Sequence, residues 1–200
     1  MLPENEKYRK LLQRKLRDNP KDLSALIHLG ITESRSCENI ELGLSLLEEA
    51  TQLDPSSVGA RFWLAVFCYY NFGEYSKAQA LIEEALTLDP KSAECWCLLA
   101  RLIYEVDGPL EEAINCTKKA LLLAPNWPSL HNELANLLIS AGRYDEARSE
   151  IESFKNSFKF YRENPVHVSN AVEWYYENVI TGRGYNSIDD ELLRMEKMFN

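Results

Sequence analysis

Hydrophobic residues along this chain recur at helical spacing, and breaks that contain a proline return at a fixed interval. The prolines lie 35 residues apart, at Pro20, Pro55, Pro90 and Pro125. A leucine followed by a small residue comes at a constant distance after each proline, at Leu29-Gly30, Leu64-Ala65, Leu99-Ala100 and Leu134-Ala135. Four occurrences in one register indicate an internal repeat.

Each repeat predicts two helices joined by a short turn. In the third repeat the apolar spacing is broken at Val106–Pro109 and resumes with Ala113 and Ala120. Small residues at matching positions, such as Gly43 and Ala78, allow two helices to cross closely where a larger side chain would overpack. Proline ends the second helix because it cannot continue the hydrogen-bond ladder, and short turns force the paired helices antiparallel.

The flanking segments predict helical caps on a single elongated array. Residues 4–17 form a basic helical stretch, and the apolar spacing predicts two more helices over 165–180 and 187–198. The predicted organisation is a capping helix over 1–20, four repeats over 21–160 and a helical cap over 161–200. The repeats span about 21–55, 56–90, 91–125 and 126–160.

The repeats resemble tetratricopeptide repeats over about residues 23–158. The resemblance rests on Trp96-x-x-Leu99-Ala100-x-x-Ile103, on Gly73-Glu74-Tyr75 and on Gly142-Arg143-Tyr144, together with the periodic alanines and prolines. It implies an all-α fold, an α-α superhelix of about four helix-turn-helix repeats. The first three units have one residue more than the family's usual 34, at or before the turn, and Glu33 stands where the family usually has an aromatic residue.

The resemblance also implies a concave groove lined by the first helix of each repeat. Mapped onto this chain, the expected partner-binding residues are Ile27, Ile31, Phe62, Trp63, Val66, Tyr70, Arg101, Tyr104, Asn132 and Asn136. The Lys and Asn clamp with which one subclass binds acidic chaperone tails is absent, because Ile27, Ile31 and Trp63 occupy such positions.

The residues themselves leave alternatives open. The segment from Phe62 to Phe72 contains six aromatic residues. The apolar stripe of one helix cannot turn all six rings toward the core. Trp63 and Tyr70 are therefore either anchors at an interface with a partner or residues that pack between helices. Asn132 and Asn136 lie on one helical face and could bind a peptide backbone or only water. Arg101 could pair with Glu105 or with a carboxylate of a partner.

Composition and charge restrict the partners. The 200 residues are 46 % hydrophobic with a net charge of −9, which argues against a disordered chain and against a binder of nucleic acid or anionic membranes. The charge is uneven, because residues 1–22 have seven bases and four acids whereas residues 23–164 have 12 bases and 21 acids. An acidic surface of this kind either attracts a basic protein or serves solubility.

The sequence carries no recognisable catalytic, cofactor or metal constellation. The five cysteines are irregularly spaced, and the histidines are scattered, so we expect reduced apolar fillers rather than a disulfide framework or metal ligands. With no apolar leader and no apolar stretch near 20 residues, a cytoplasmic location is expected.

The leading functional prediction is therefore a non-enzymatic scaffold that binds a peptide or partner domain in the groove. Two alternatives are an acidic inhibitor or neutraliser of a basic enzyme or toxin, and a dedicated secretion chaperone. The oligomeric state does not follow from the sequence.

Overall fold

The computed structural model describes residues 3–34 and 39–163, and the regular elements among these residues are all helices. Their bounds are α1 (Pro3–Asp18), α2 (Leu23–Ser34), α3 (Ile40–Leu53), α4 (Val58–Phe67), α5 (Tyr75–Leu88), α6 (Ala93–Glu105), α7 (Leu110–Leu123), α8 (Pro128–Ser140) and α9 (Tyr144–Glu163). The all-α fold class predicted from the sequence is confirmed. The first inter-helix turn, around 35–38, and the predicted cap beyond Glu163 lie outside the described residues.

The chain divides into two compact units within α6, the first ending at Leu102 and the second beginning at Ile103. In the first unit, sequential helices from α1 to α5 pack against one another. Their core includes Leu12, Leu26, Leu29 and Leu46. In the second unit, α8 packs against both α7 and α9 and buries Leu130, Leu134 and Leu138.

Small residues bring α2 and α3 together, as the repeat pattern predicts. A Cβ atom added at Gly43 would lie 2.9 Å from the Ser34 nitrogen and 3.0 Å from the Gly30 carbonyl oxygen. The two helices therefore touch backbone to backbone. Equivalent positions in later repeats are alanines that are completely buried, at Ala78, Ala113 and Ala147.

A repeated cap starts the first helix of each of the first three repeats. Side-chain oxygens of Asp22, Ser57 and Ser92, each two residues after the proline, accept hydrogen bonds from the backbone N–H three residues on. Such bonds satisfy donors that a helix N-terminus leaves unpaired. The fourth repeat differs, because Trp127 holds this position and Pro128 opens α8.

The extra residue of the second repeat lies inside a helix. Residues Cys68–Phe72 continue α4 as a π-helical turn, which ends at Gly73 with φ +64°. Ala65 is eight residues before this left-handed glycine, whereas Ala135 is seven residues before its counterpart, Gly142. One inserted residue widens a helical turn in this way.

The third repeat places its extra residue in the loop instead. Asp107, seven residues after Ala100, takes the left-handed conformation with φ +52°, and Gly108 is the added residue before α7. The Gly108 N–H donates to the Ile103 carbonyl at 2.8 Å. The same insertion therefore changes a helix in one repeat and only a turn in the next.

Candidate functional site

The structure divides the predicted groove residues into buried and accessible ones. Phe62, Trp63 and Val66 are buried, and Trp63 retains only 7 % of its exposure. The cause is the position of α4, which contacts α2, α3 and α5 and therefore has little free surface. Ile27 also packs against the core of the first unit, and Ile31 is half-buried.

Tyr70 is the accessible aromatic residue of the predicted set in the first unit. The residue is 36 % exposed, and its ring makes an edge-to-face contact with Tyr69 at a centroid distance of 4.2 Å. Arg101 on α6 donates from Nη1 to the Tyr70 hydroxyl at 2.7 Å. The ring and the guanidinium thus hold each other in place on the first helices of two successive repeats.

The π-helical turn positions this aromatic surface. Tyr69 also contacts Tyr75, and Phe72 contacts Phe67, so the turn holds exposed rings against buried ones. Asn71 Nδ2 donates to the carbonyl of Ser34, near the end of α2. The aromatic block and the additional residue are each visible in the sequence, but the link between them is not.

The second unit carries a polar row on α8. Asn136 Nδ2 donates to Asn132 Oδ1 at 3.4 Å, and Ser140 Oγ donates to the Asn136 carbonyl at 3.1 Å. The hydroxyl of Tyr104, an exposed residue of α6, lies 3.5 Å from Ser140 Oγ. Tyr104, Asn132 and Asn136 therefore lie along one hydrogen-bonded row of partly exposed donors and acceptors.

Glu33 has a role that could not be recognised in the sequence. Its carboxylate is 1 % exposed and accepts hydrogen bonds from Arg9 Nε at 2.6 Å and from Asn39 Nδ2 at 2.7 Å. The ion pair fixes α1 to α2. The sequence shows that Glu33 stands where the family usually has an aromatic residue, which marks the position as unusual. It does not show the partner, because Arg9 is 24 residues away in sequence.

His131 links α8 to α9. It lies on a different side of α8 from Asn132 and Asn136 of the polar row. Its Nδ1 lies 2.8 Å from Glu150 Oε2 and its Nε2 lies 3.0 Å from the Pro125 carbonyl oxygen. Both neighbours accept hydrogen bonds, so the ring is fully satisfied when both nitrogens carry a proton. Burial lowers the pKa of His131, but the bonds to Glu150 and Pro125 raise it more, and the pKa lies above the usual value.

We expect this interaction to make stability depend on pH. A histidine whose pKa is raised by folding stabilises the native state fully below its unfolded pKa, near 6.5, and loses that contribution as the pH rises through the folded pKa. The free energy of unfolding of the wild type, measured relative to His131→Gln in urea titrations, should therefore fall as the pH rises above about 6.5.

His28 provides the matched control for this prediction. Burial and the charge of Lys15 lower the pKa of His28, so its contribution is lost as the pH falls, which is the opposite direction. Relative to His28→Gln, the wild type should lose stability toward acid pH. If the difference in free energy of unfolding between wild type and His131→Gln stayed constant as the pH rose above about 6.5, the proposed role of the His131–Glu150 interaction would be contradicted.

Four cysteines occupy core positions. Cys68, Cys95, Cys97 and Cys116 are buried thiols outside any disulfide, and burial raises the pKa of the Cys68 and Cys95 thiols to about 11. Cys37 lies outside the described residues. Over 3–34 and 39–163, the acidic, histidine and cysteine side chains form no group able to hold a metal ion.

Comparison with known proteins identifies the repeat. The tetratricopeptide-repeat family model matches residues 38–102, which include α3, α4, the π-helical turn, α5 and most of α6. Residues 38–102 therefore carry the tetratricopeptide repeat. No curated protein sequence matches it significantly.

Solved structures of such proteins share the fold. PilF of Pseudomonas aeruginosa is 22 % identical, with a TM-score of 0.69 over 77 % of this chain and 69 % of that chain. The protein TTC0263 of Thermus thermophilus is 21 % identical, with a TM-score of 0.66 over 76 % and 82 %. MamA is 17 % identical, with a TM-score of 0.63 over 78 % and 89 %.

These similarities confirm the predicted tetratricopeptide-repeat solenoid class. Proteins with this fold typically act as protein-interaction scaffolds. In the part of the chain that the structure describes, no helix has both the length and the apolar character required to cross a bilayer.

Proposed function

We propose that the protein is a non-enzymatic scaffold that binds a peptide or a domain of a partner protein through the first helices of its repeats. The observation that carries the proposal is the exposed Tyr70 ring, which a hydrogen bond from Arg101 holds in position. Tyrosine and arginine are enriched among the residues that dominate binding energy at interfaces. A ring held in one place also loses less conformational freedom when a partner binds.

The polar row of the second unit supports the same proposal. Asn132 and Asn136 are one helical turn apart on α8, and their side chains are half-buried. An amide side chain both donates and accepts, so it can bind the backbone of an extended peptide whatever the peptide's sequence. We propose that Tyr104 and the two asparagines contribute such contacts.

The buried residues of the predicted set are not useful test positions. Replacing Trp63 by alanine would remove a large side chain from the interior and lower stability by several kcal/mol, about 3–5 for a residue of this size. A loss of binding in that variant would therefore report on folding. Tyr70, Asn132 and Asn136 can be replaced at the surface.

Affinity capture with the full chain, followed by mass spectrometry, tests the proposal. Affinity for a captured partner should fall about tenfold or more for Tyr70→Ala and for the Asn132→Ala, Asn136→Ala double variant. Tyr70→Phe separates the ring from its hydroxyl. Leu122→Ala is the matched control, because this leucine on the second helix α7 is 83 % exposed. Equal affinity in all variants for every captured partner would overturn the proposal.

Salt dependence distinguishes the scaffold from an acidic neutraliser of a basic protein. Exposed charges are screened within about 10 Å at 0.1 M salt, so a neutraliser should lose affinity strongly between about 50 and 300 mM salt. Contacts made by Tyr70 and by amide groups should change little. A partner whose affinity falls steeply with salt and ignores Tyr70→Ala would favour the neutraliser.

A further inference from the structure

Helix α1 has a fixed orientation on the first repeat. Leu12 is buried in the core of the first unit, and Leu16 packs against the same core. The ion pair between Arg9 and buried Glu33 lies on this inner side as well. The opposite side of α1 is therefore held facing outward.

This outward side is basic with an apolar centre. Lys7, Lys10, Leu11 and Arg14 are all exposed, and their spacing places them within an arc of about 100° on one helix. Lys10 and Arg14 keep 71 % and 75 % of their side-chain exposure, although Glu6 and Asp18 lie within 4 Å of them. We name Lys7, Lys10, Leu11 and Arg14 the basic face.

The outward side of α3 has complementary properties. Glu41, Leu42, Ser45 and Glu49 are exposed and lie on one side of the helix, and α3 contains no basic residue. Leu42 is 44 % exposed and Leu11 of the basic face is 49 % exposed. We name Glu41, Leu42, Ser45 and Glu49 the acidic face.

We propose that the basic face of α1 docks on the acidic face of α3 in a second copy of this chain. Helix-to-helix contact would bury Leu11 and Leu42 while Lys10 and Arg14 pair with Glu41 and Glu49. The predominantly acidic character of the chain favours this occupant, because each copy supplies the anionic surface that its basic helix requires. Each copy carries both faces, so the contact either forms twice in a closed two-fold dimer or repeats head-to-tail in a ring or a chain of copies.

This contact is separate from the proposed function. It uses α1 and α3, whereas the proposed partner site uses Tyr70 and the polar row of α8. Failure of either proposal therefore leaves the other standing, and the variants that test them do not overlap.

Sedimentation velocity of the full chain tests self-association. At about 100 mM NaCl the weight-average mass should rise with protein concentration above the 23.0 kDa of one chain, and at about 500 mM it should return to that value. The Lys10→Glu, Arg14→Glu variant should weaken association at least about tenfold. The control variant Lys91→Glu, Lys119→Glu changes the net charge by the same amount, at exposed positions outside the basic and acidic faces. It should associate like the wild type.

A charge exchange gives the strictest test. Lys10→Glu, Arg14→Glu has two acidic faces, and Glu41→Lys, Glu49→Lys has two basic faces, so each should be monomeric alone and their mixture should associate. A wild type that stays monomeric at about 100 mM salt, or a mixture that stays monomeric, would overturn the proposal. Binding of a deca-glutamate peptide by a monomeric wild type would assign the basic face to an acidic partner instead.

Discussion

Arg9→Met should lower the free energy of unfolding of the first unit by about 3 kcal/mol. The substitution keeps the apolar stem of the side chain but removes the guanidinium from Glu33, whose carboxylate is almost completely buried. Asn39, the other donor to Glu33 among residues 3–34 and 39–163, is neutral and remains beside a full negative charge. A buried charge without its counter-ion has lost its hydration and gains no interaction in return. Removing one partner of a buried ion pair therefore lowers the free energy of unfolding more than removing both partners.

The double variant Arg9→Met, Glu33→Leu is the control. It removes both charges, so it should recover most of the stability lost in Arg9→Met. Hydrogen exchange of the α1 amides, followed with urea unfolding, is the appropriate measurement because it reports where the structure opens. Equal stability of wild type and Arg9→Met would show that the pair does not hold α1 to the repeat.

Gly43→Ala should destabilise the first unit by about 1–3 kcal/mol, although alanine is the better helix former. The new methyl group would meet the Ser34 nitrogen at 2.9 Å and the Gly30 carbonyl oxygen at 3.0 Å. Both are backbone atoms, so the clash is relieved only when α2 and α3 move apart. Phe67 Cε2 would lie 3.1 Å from the same methyl group, which adds a third close contact.

Gly59→Ala is the matched control in the same unit. Gly59 lies in the first turn of α4, and an added Cβ meets nothing within 4 Å. Alanine there should be neutral or stabilise the protein by up to about 1 kcal/mol, because it restricts the unfolded chain. If thermal melts showed that both variants shift the melting temperature in the same direction, the close contact between α2 and α3 would not be the cause of the effect of Gly43→Ala.

The hairpin architecture of the described residues could be predicted because its signals are local and repeated. A proline can end a helix and a small residue permits a close crossing, and both appear at a period of 35 residues. Gly73 and Gly142, which belong to the quoted repeat motifs, both have positive φ in the turns. The repeat boundaries between 21 and 160, and the division into caps, remain predictions.

The candidate site was less predictable, because exposure depends on neighbours that are distant in sequence. Trp63 and Tyr70 look alike in sequence, but Trp63 is buried on a helix that has neighbours on several sides, whereas Tyr70 follows the start of the π-helical turn and stays accessible. The sequence predicted an extra residue near the turn, but not that one repeat would place it in a helix and the next in a loop. That choice affects which aromatic rings reach the surface.

The sequence by itself determined the all-α class, the four-fold register, the close crossings at small residues and the opposite charge of the N-terminal helix and the repeats. Only the tertiary structure decided which aromatic residues are accessible, that Glu33 pairs with Arg9, and that His131 joins Glu150 across two helices. The physical reason is the range of the interactions. Helix ends and crossings depend on residues within one repeat, whereas burial and ion pairing depend on side chains that packing brings together from separate helices.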